Sequence, residues 1–308
     1  GNDTLIASEG DDTIWGDGGN DRIEGGNGFD ILNGGDGDDI ITDLAFDDNI
    51  KGGDGNDVIH AGNGVDLVIA GRGNDFVNIG TESGEAFAGL GDDFVTSDGT
   101  LIGLIGGFGN DWLEAGFGNS FLTGDNADVD GSVLNFGDND LAGGHDVLIN
   151  RGGPTDFDAF GGDDIMVSGS GTERYEGFIG FDWGSYQNHT AGAEADMALR
   201  PFPHLGGDPT ALLDRFDNTE GLSGSAFADI LRGDDRLADP LAGLELSLVG
   251  HELTAAGIAR ITGMQEFLGA AGAGANGVID GNVVGSDDMF NSGNIIMGGA
   301  GSDLIEGR

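Results

Sequence analysis

The chain has 308 residues, 64 of them glycine, with no cysteine and 11 basic against 56 acidic side chains. A formal net charge of −45 excludes unassisted binding to nucleic acid or to an anionic membrane surface, because both are polyanions. The lack of cysteine excludes disulfides and thiolate metal sites, and no apolar run approaches the roughly eighteen residues of a membrane span. Low hydrophobicity at such a charge ordinarily reads as disorder. The spacing of the glycines argues otherwise.

Gly25-Gly26-Asn27-Gly28-Phe29-Asp30-Ile31-Leu32-Asn33 is a unit of nine, and Gly34-Gly35-Asp36-Gly37-Asp38-Asp39-Ile40-Ile41-Thr42 follows it directly. Residues 52–60, 61–69, 70–78, 88–96 and 106–114 keep the same register, which runs unbroken from Gly1, position four of a cut unit, to Thr123. Of these fourteen units, eleven hold Asp at position six and thirteen hold Leu, Ile or Val at position eight, Ala86 being the exception. Asp and Gly are common in turns, but ordinary turns do not recur every nine residues over such a length. A fixed short period predicts a solenoid.

Each position has a physical task. Glycine at positions one, two and four lets the backbone turn through φ values that a Cβ resists. The carbonyls of such turns point into a shared cavity, to which Asp at position six adds a carboxylate. Gly19, Gly26, Gly28, Gly35, Gly37, Gly53, Gly55, Gly64, Gly73, Gly91, Gly107 and Gly109 are the candidate turn glycines. An oxygen-only, flexible donor set suits Ca²⁺ better than Mg²⁺. Positions seven to nine read as a short strand with the aliphatic at position eight facing inwards.

These residues resemble the repeats-in-toxin (RTX) nonapeptides of secreted bacterial proteins. The resemblance implies an all-β fold, a parallel β-roll with two units per turn, so that units eighteen residues apart stack with a calcium ion between them. Stacked in this way, the aspartates fall into two columns. One runs Asp3, Asp21, Asp39, Asp57, Asp75, Asp93, Asp111 without a gap. The other runs Asp12, Asp30, Asp48, Asp66, then Gly84, Ile102 and Ser120. The unit Asp43-Leu44-Ala45-Phe46-Asp47-Asp48 lacks the turn glycines, which predicts a weaker site there.

Beyond Thr123 the register breaks, then returns with Asp146, Asp164 and Asp182 spaced by eighteen. A single deletion would carry the first column through Asp128, while Thr155 and Glu173 at position six keep the second column depleted. Residues 124–140 read as a loop. The expected divisions are a regular roll over 1–123, its continuation over 124–185, an irregular flanking segment over 186–280 and returning repeats over 281–308. Within the irregular part, 208–214 and 254–268 carry helix signals: Asp208 before Pro209, and Ile258, Ile261, Met264 and Leu268 on one face. Asp229 and Asp303 occupy position six of two further units, and Asp288 lies in a degenerate one.

The runs 181–197, 214–235 and 251–268 also resemble the calcium-binding tails of large bacterial proteins that bear an animal-type haem peroxidase domain. No peroxidase core is present in these residues. His251-Glu252 begins like a zincin helix, but Ala255 stands four residues after His251, so the second metal ligand is missing. His60, His145, His189 and His204 are scattered among turns, and the Gly-rich turns lack the Lys-Ser/Thr ending of a phosphate loop. No catalytic residue is assigned.

The residues and the resemblance together predict a non-enzymatic, calcium-binding structural module of a secreted, extracellular bacterial protein. It would be exported unfolded by type I secretion, fold on meeting calcium and be continuous with partner domains. An adhesive or filament-forming protein and the tail of a haem peroxidase are the alternatives. Gly307-Arg308, one further residue and Gly1-Asn2-Asp3-Thr4-Leu5-Ile6 would complete a repeat. That fits either a fragment of a longer array or head-to-tail self-association.

Overall fold

The computed structural model describes residues 1–125, 143–178, 180–199, 214–233, 277–279, 282–284 and 295–306. Because each nonapeptide spends its first six residues turning and its last three extended, successive strands fall alternately on two sheets. The first sheet stacks Thr4–Ile6, Arg22–Glu24, Ile40–Thr42, Val58–His60, Phe76–Asn78, Phe94–Thr96, Trp112–Phe117, Val147–Gly152, Ile165–Val167, Trp183–Ser185, Gly221–Ser223 and Ile295–Met297, in that order. The second stacks Thr13–Trp15, Ile31–Asp36, Asn49–Asp54, Asp66–Arg72, Gly84–Leu90, Leu101–Phe108, Asn119–Thr123, Thr155–Asp158, Glu173–Glu176 and Arg215–Asp217. All these pairings are parallel, with Thr4 opposite Arg22, Arg22 opposite Ile40 and Thr13 opposite Ile31. This is the expected β-roll of two units per turn.

Side chains alternate along each strand, so the middle residue of a three-residue strand points inwards. Ile23, Ile41, Ile59, Val77 and Val95 from one sheet thereby meet Leu32, Ile50, Val68 and Leu104 from the other, all buried in one core. Alanines at position one, such as Ala61, Ala70, Ala88 and Ala115, fill the space beside them. In later turns the second sheet replaces the aliphatics with aromatics: Phe157 stacks on Tyr175 at 5.3 Å and Tyr175 on Phe216 at 4.9 Å.

The roll closes over the break in register. Trp112–Phe117 pairs directly with Val147–Gly152, and Asn119–Thr123 with Thr155–Asp158. Asp111 therefore stacks on Asp146 across 35 residues, and the extra level expected through Asp128 does not exist. Spacing alone does not distinguish a turn shortened by one residue from a segment spliced out between two adjacent turns. A third sheet, Glu194–Asp196, Ile230–Arg232 and Leu304–Glu306, continues the winding, and Gly277–Ile279 pairs antiparallel with Asn282–Val284. Asp128, Asp288, most of 208–214, all of 254–268 and Gly307-Arg308 lie outside the described residues. Among the described residues no helix is long and apolar enough to cross a membrane.

Candidate metal centres

The stacked turns bring the position-six aspartates into contact through the backbone. The N–H of Asp3 donates to Asp21 Oδ1 at 2.6 Å, that of Asp21 to Asp39 at 2.8 Å, Asp39 to Asp57 at 2.8 Å and Asp57 to Asp75 at 2.7 Å. The ladder continues through Asp93, Asp111, Asp146, Asp164 and Asp182, where the Asp182 N–H meets Glu220 Oε2 at 3.0 Å. One carboxylate oxygen is thus used to join turns. The other is not: from Asp21 to Asp182, every Oδ2 in this column is buried and has no hydrogen-bond partner.

These orphaned oxygens face a cradle made by position one. A Cβ added at Gly34 would overlap both Asp39 Oδ2 and the carbonyl oxygen of Gly52. The space that glycine leaves is therefore lined by a carboxylate and a carbonyl, the hard oxygen set that suits Ca²⁺. Of the predicted turn glycines, all but Gly64 lie in the left-handed region. Gly64 instead approaches the Phe46 carbonyl too closely for any side chain.

The opposite edge begins in the same way. Asp12, Asp30 and Asp48 donate in turn to Asp30, Asp48 and Asp66 Oδ1 at 2.8, 2.7 and 2.9 Å, and Oδ2 of Asp30, Asp48 and Asp66 is orphaned. Gly84, Ile102, Ser120 and Thr155 then continue the column without a carboxylate. Glu173 and Asp214 restore it, with the Glu173 N–H donating to Asp214 Oδ1 at 2.9 Å and both Glu173 carboxylate oxygens buried without a partner. On the third sheet the N–H of Asp229 donates to Asp303 Oδ1 at 3.0 Å. Asp229 Oδ2 is itself taken by the Ser225 N–H at 2.8 Å.

Burial dominates the electrostatics of these groups. It pushes Asp57 and Asp75 up to about 7, Asp93 and Asp66 to about 6 and Asp111 to about 8, against the lowering effect of the backbone N–H each accepts. Asp164 and Asp182 are driven well above the ordinary carboxylate range by burial, with a neighbouring carboxylate adding to it. A column of buried anions at neutral pH therefore calls for protons or for a cation.

Sequence reasoning missed four members of these edges. Asp214 and Glu220 sit 41 and 38 residues after their partners, outside any period of nine. Asp125 accepts the N–H groups of Gly144 at 2.9 Å and Gly161 at 3.2 Å beside Asp146. Asp43 occupies position one, where its neighbours carry glycine or alanine, and is buried. A second ladder at position five also went unread, although the repeated Asn or Asp there was its signal. Asn56 N–H donates to Asp38, Asn74 to Asn56, Asp92 to Asn74 and Asn110 to Asp92, at 2.7 to 3.1 Å.

Comparison with protein families finds the RTX calcium-binding nonapeptide repeat in residues 1–32, 15–42, 43–77, 105–128 and 290–308. No curated protein matches the chain. No solved structure matches it either. The matched stretches take in the ladder aspartates from Asp3 to Asp75 and Asp111 but not Asp93, and reappear at Asp303. With the family match, the eighteen-residue stacking and the oxygen-lined cradles in agreement, the matched stretches are RTX calcium-binding nonapeptide repeats, wound into a parallel β-roll.

Proposed function

We propose that the chain is the structural module of a secreted bacterial protein and that it folds when it meets extracellular calcium. The observation that carries this is the unbroken row of buried, partnerless Oδ2 atoms from Asp21 to Asp182. Consecutive aspartates of that row would hold an ion between turns together with the position-one carbonyls, and so would Asp12 to Asp66 on the opposite edge. Bound calcium would supply the positive charge that the cradles lack. Asp3, Asp229 and Asp303 would complete the set where the roll begins and where its last described turns lie.

The folding mechanism follows from charge. With 56 acidic residues and few basic ones, the metal-free chain repels itself, and its small apolar core does little against chain entropy. Each position-six carboxylate serves the turns on both sides of it, so binding and folding share one free energy. An unfolded metal-free chain also suits passage through a narrow export channel. Circular dichroism in chelator and in millimolar calcium tests the proposal: a largely disordered spectrum should convert cooperatively to β structure. An unchanged β spectrum in excess chelator would show that the roll needs no ion.

A further inference from the structure

One level of the roll departs from the repeat. At residues 43–48, position one is Asp43 and position four is Phe46, where the flanking units place small residues. Asp43, Asp30 and Asp48 are all buried, and one carboxylate oxygen from each lies within 4.8 Å of the other two. Among the described residues this is the only such trio of metal-ligating side chains. Asp43 is held in place by two backbone donors to its Oδ1, Gly26 N–H at 2.8 Å and Leu44 N–H at 2.7 Å. Its Oδ2, like those of Asp30 and Asp48, is buried without any hydrogen-bond partner.

Phe46 marks the same level as unusual. Its φ is +85°, the left-handed backbone that glycine adopts at position four in units on either side. A bulky residue is held there only when its surroundings over-determine it, and such strain clusters around ligand clamps. The turn thus keeps its ion-cradling shape without the glycine that would make the shape cheap, and it adds a third carboxylate to a cradle that elsewhere has two.

Calcium sites gain affinity with the number of charged ligands they offer. We propose that Asp30, Asp43 and Asp48 form a three-carboxylate calcium site that binds more tightly than the two-carboxylate levels and fills first. This reverses the expectation that the missing glycines weaken that level, and it rests on the reading of the roll as a calcium binder. The extra negative charge also favours a trivalent ion over a divalent one at this level.

The test is a chelator-buffered calcium titration of the full chain and of Asp43→Gly and Asp43→Asn, with terbium as a trivalent competitor. The wild type should retain one ion at free calcium that empties the other sites, and terbium should displace that ion preferentially. Both variants should lose this tight class, with at least a tenfold fall in its affinity and its terbium preference abolished. Asp43→Asn keeps the shape and the acceptor for Gly26, so it separates loss of charge from loss of structure. Retention of the tight class in Asp43→Asn would overturn the proposal, as would a wild type whose ions all share one affinity. A wild type that binds no calcium at all would instead overturn the broader reading of the roll.

Discussion

The two edges of the roll start alike and then diverge. Along the first, carboxylates follow one another from Asp21 to Asp182, each joined to the next by a backbone N–H. Along the second, Asp30, Asp48 and Asp66 give way to Gly84, Ile102 and Ser120. Where carboxylates stop, the buried side chains of Ile79 and Ile102 close on Gly84 and Gly99. The strands there run over Gly84–Leu90 and Leu101–Phe108, and a groove of about 700 Å³ bordered by Leu67, Phe87, Ile105 and Phe121 opens beside them. In a solenoid each turn contacts only its neighbours, so every interface must be stabilised locally. Apolar packing along one stretch and stacked carboxylates along the other are two ways to meet that demand in one molecule.

The sharpest way to break this comparison is to remove one carboxylate from the first edge. Asp57 accepts the Asp39 N–H, donates its own to Asp75 and leaves Oδ2 in the cradle. Asp57→Ala strips a ligand from two adjacent levels and orphans a buried N–H. In saturating calcium the expected loss is about 4 kcal/mol, the scale for breaking one partner out of a buried charged set. Isothermal titration should also show fewer ions bound at saturation. A variant with wild-type stability and stoichiometry would mean that this edge does not depend on its carboxylates.

Much of this architecture was legible because the repeat writes both its strands and its turns at fixed positions. The period of nine places Asp21 over Asp39 and Ile23 beside Ile41, and the structure pairs them so. Legibility ended where covalent spacing stopped matching spatial spacing. Asp146 follows Asp111 in the stack but lies 35 residues away, and Asp214 follows Glu173 by 41, so counting by eighteen does not lead from Asp111 to Asp146 and overlooks Asp214. Asp43 was hidden for another reason. A residue that breaks the pattern reads as degeneration until its carboxylate is seen among Asp30 and Asp48.

On the apolar stretch the corresponding experiment removes hydrocarbon. Leu104 is fully buried between the two sheets, at the level where Ile102 replaces a carboxylate. Leu104→Ala should cost about 3 kcal/mol through lost transfer energy and a residual cavity. The number of ions bound at saturation should stay that of the wild type, because no oxygen is touched. Chemical denaturation at fixed high calcium measures the first, and metal analysis the second. A drop in bound ions would show that the apolar levels and the carboxylate levels are not separable.

Proton competition probes the first edge without mutation. Burial holds Asp57 and Asp75 at about 7 and Asp111 at about 8, whereas the unfolded chain releases these protons near the ordinary carboxylate value of about 4. Between those limits the metal-free roll binds more protons than the unfolded chain, so its stability falls as pH rises. Calcium binding runs the other way, since the ligands must be deprotonated. From about pH 5 to 8 the unfolded chain and the calcium-loaded roll both carry ionised aspartates, so the two effects cancel and the calcium concentration at the folding midpoint should hardly move. In chelator, residual β signal should instead grow on acidification. A midpoint that rises with pH over this window would show that the calcium-loaded roll keeps those protons, and would remove the first-edge aspartates from the binding reaction.

The smallest effect is expected at Ser120, which stands in the second column where the carboxylates have run out. Its side chain is buried and its Oγ has no hydrogen-bond partner. A hydroxyl in that condition contributes nothing by bonding and has lost its hydration, so its removal carries no penalty for a broken pair. Ser120→Ala also keeps the Cβ, and the backbone N–H of Ser120 goes to the Pro154 carbonyl at 3.1 Å whatever the side chain. Stability should stay within about 0.5 kcal/mol of the wild type, with a shift towards stabilisation. Calcium stoichiometry should not change. Asp57→Ala and Ser120→Ala delete polar atoms from the same position of the repeat on opposite edges, so the difference between them isolates what the carboxylate contributes. A loss at Ser120 comparable to that at Asp57 would mean that position six matters for the shape of the turn and not for its charge.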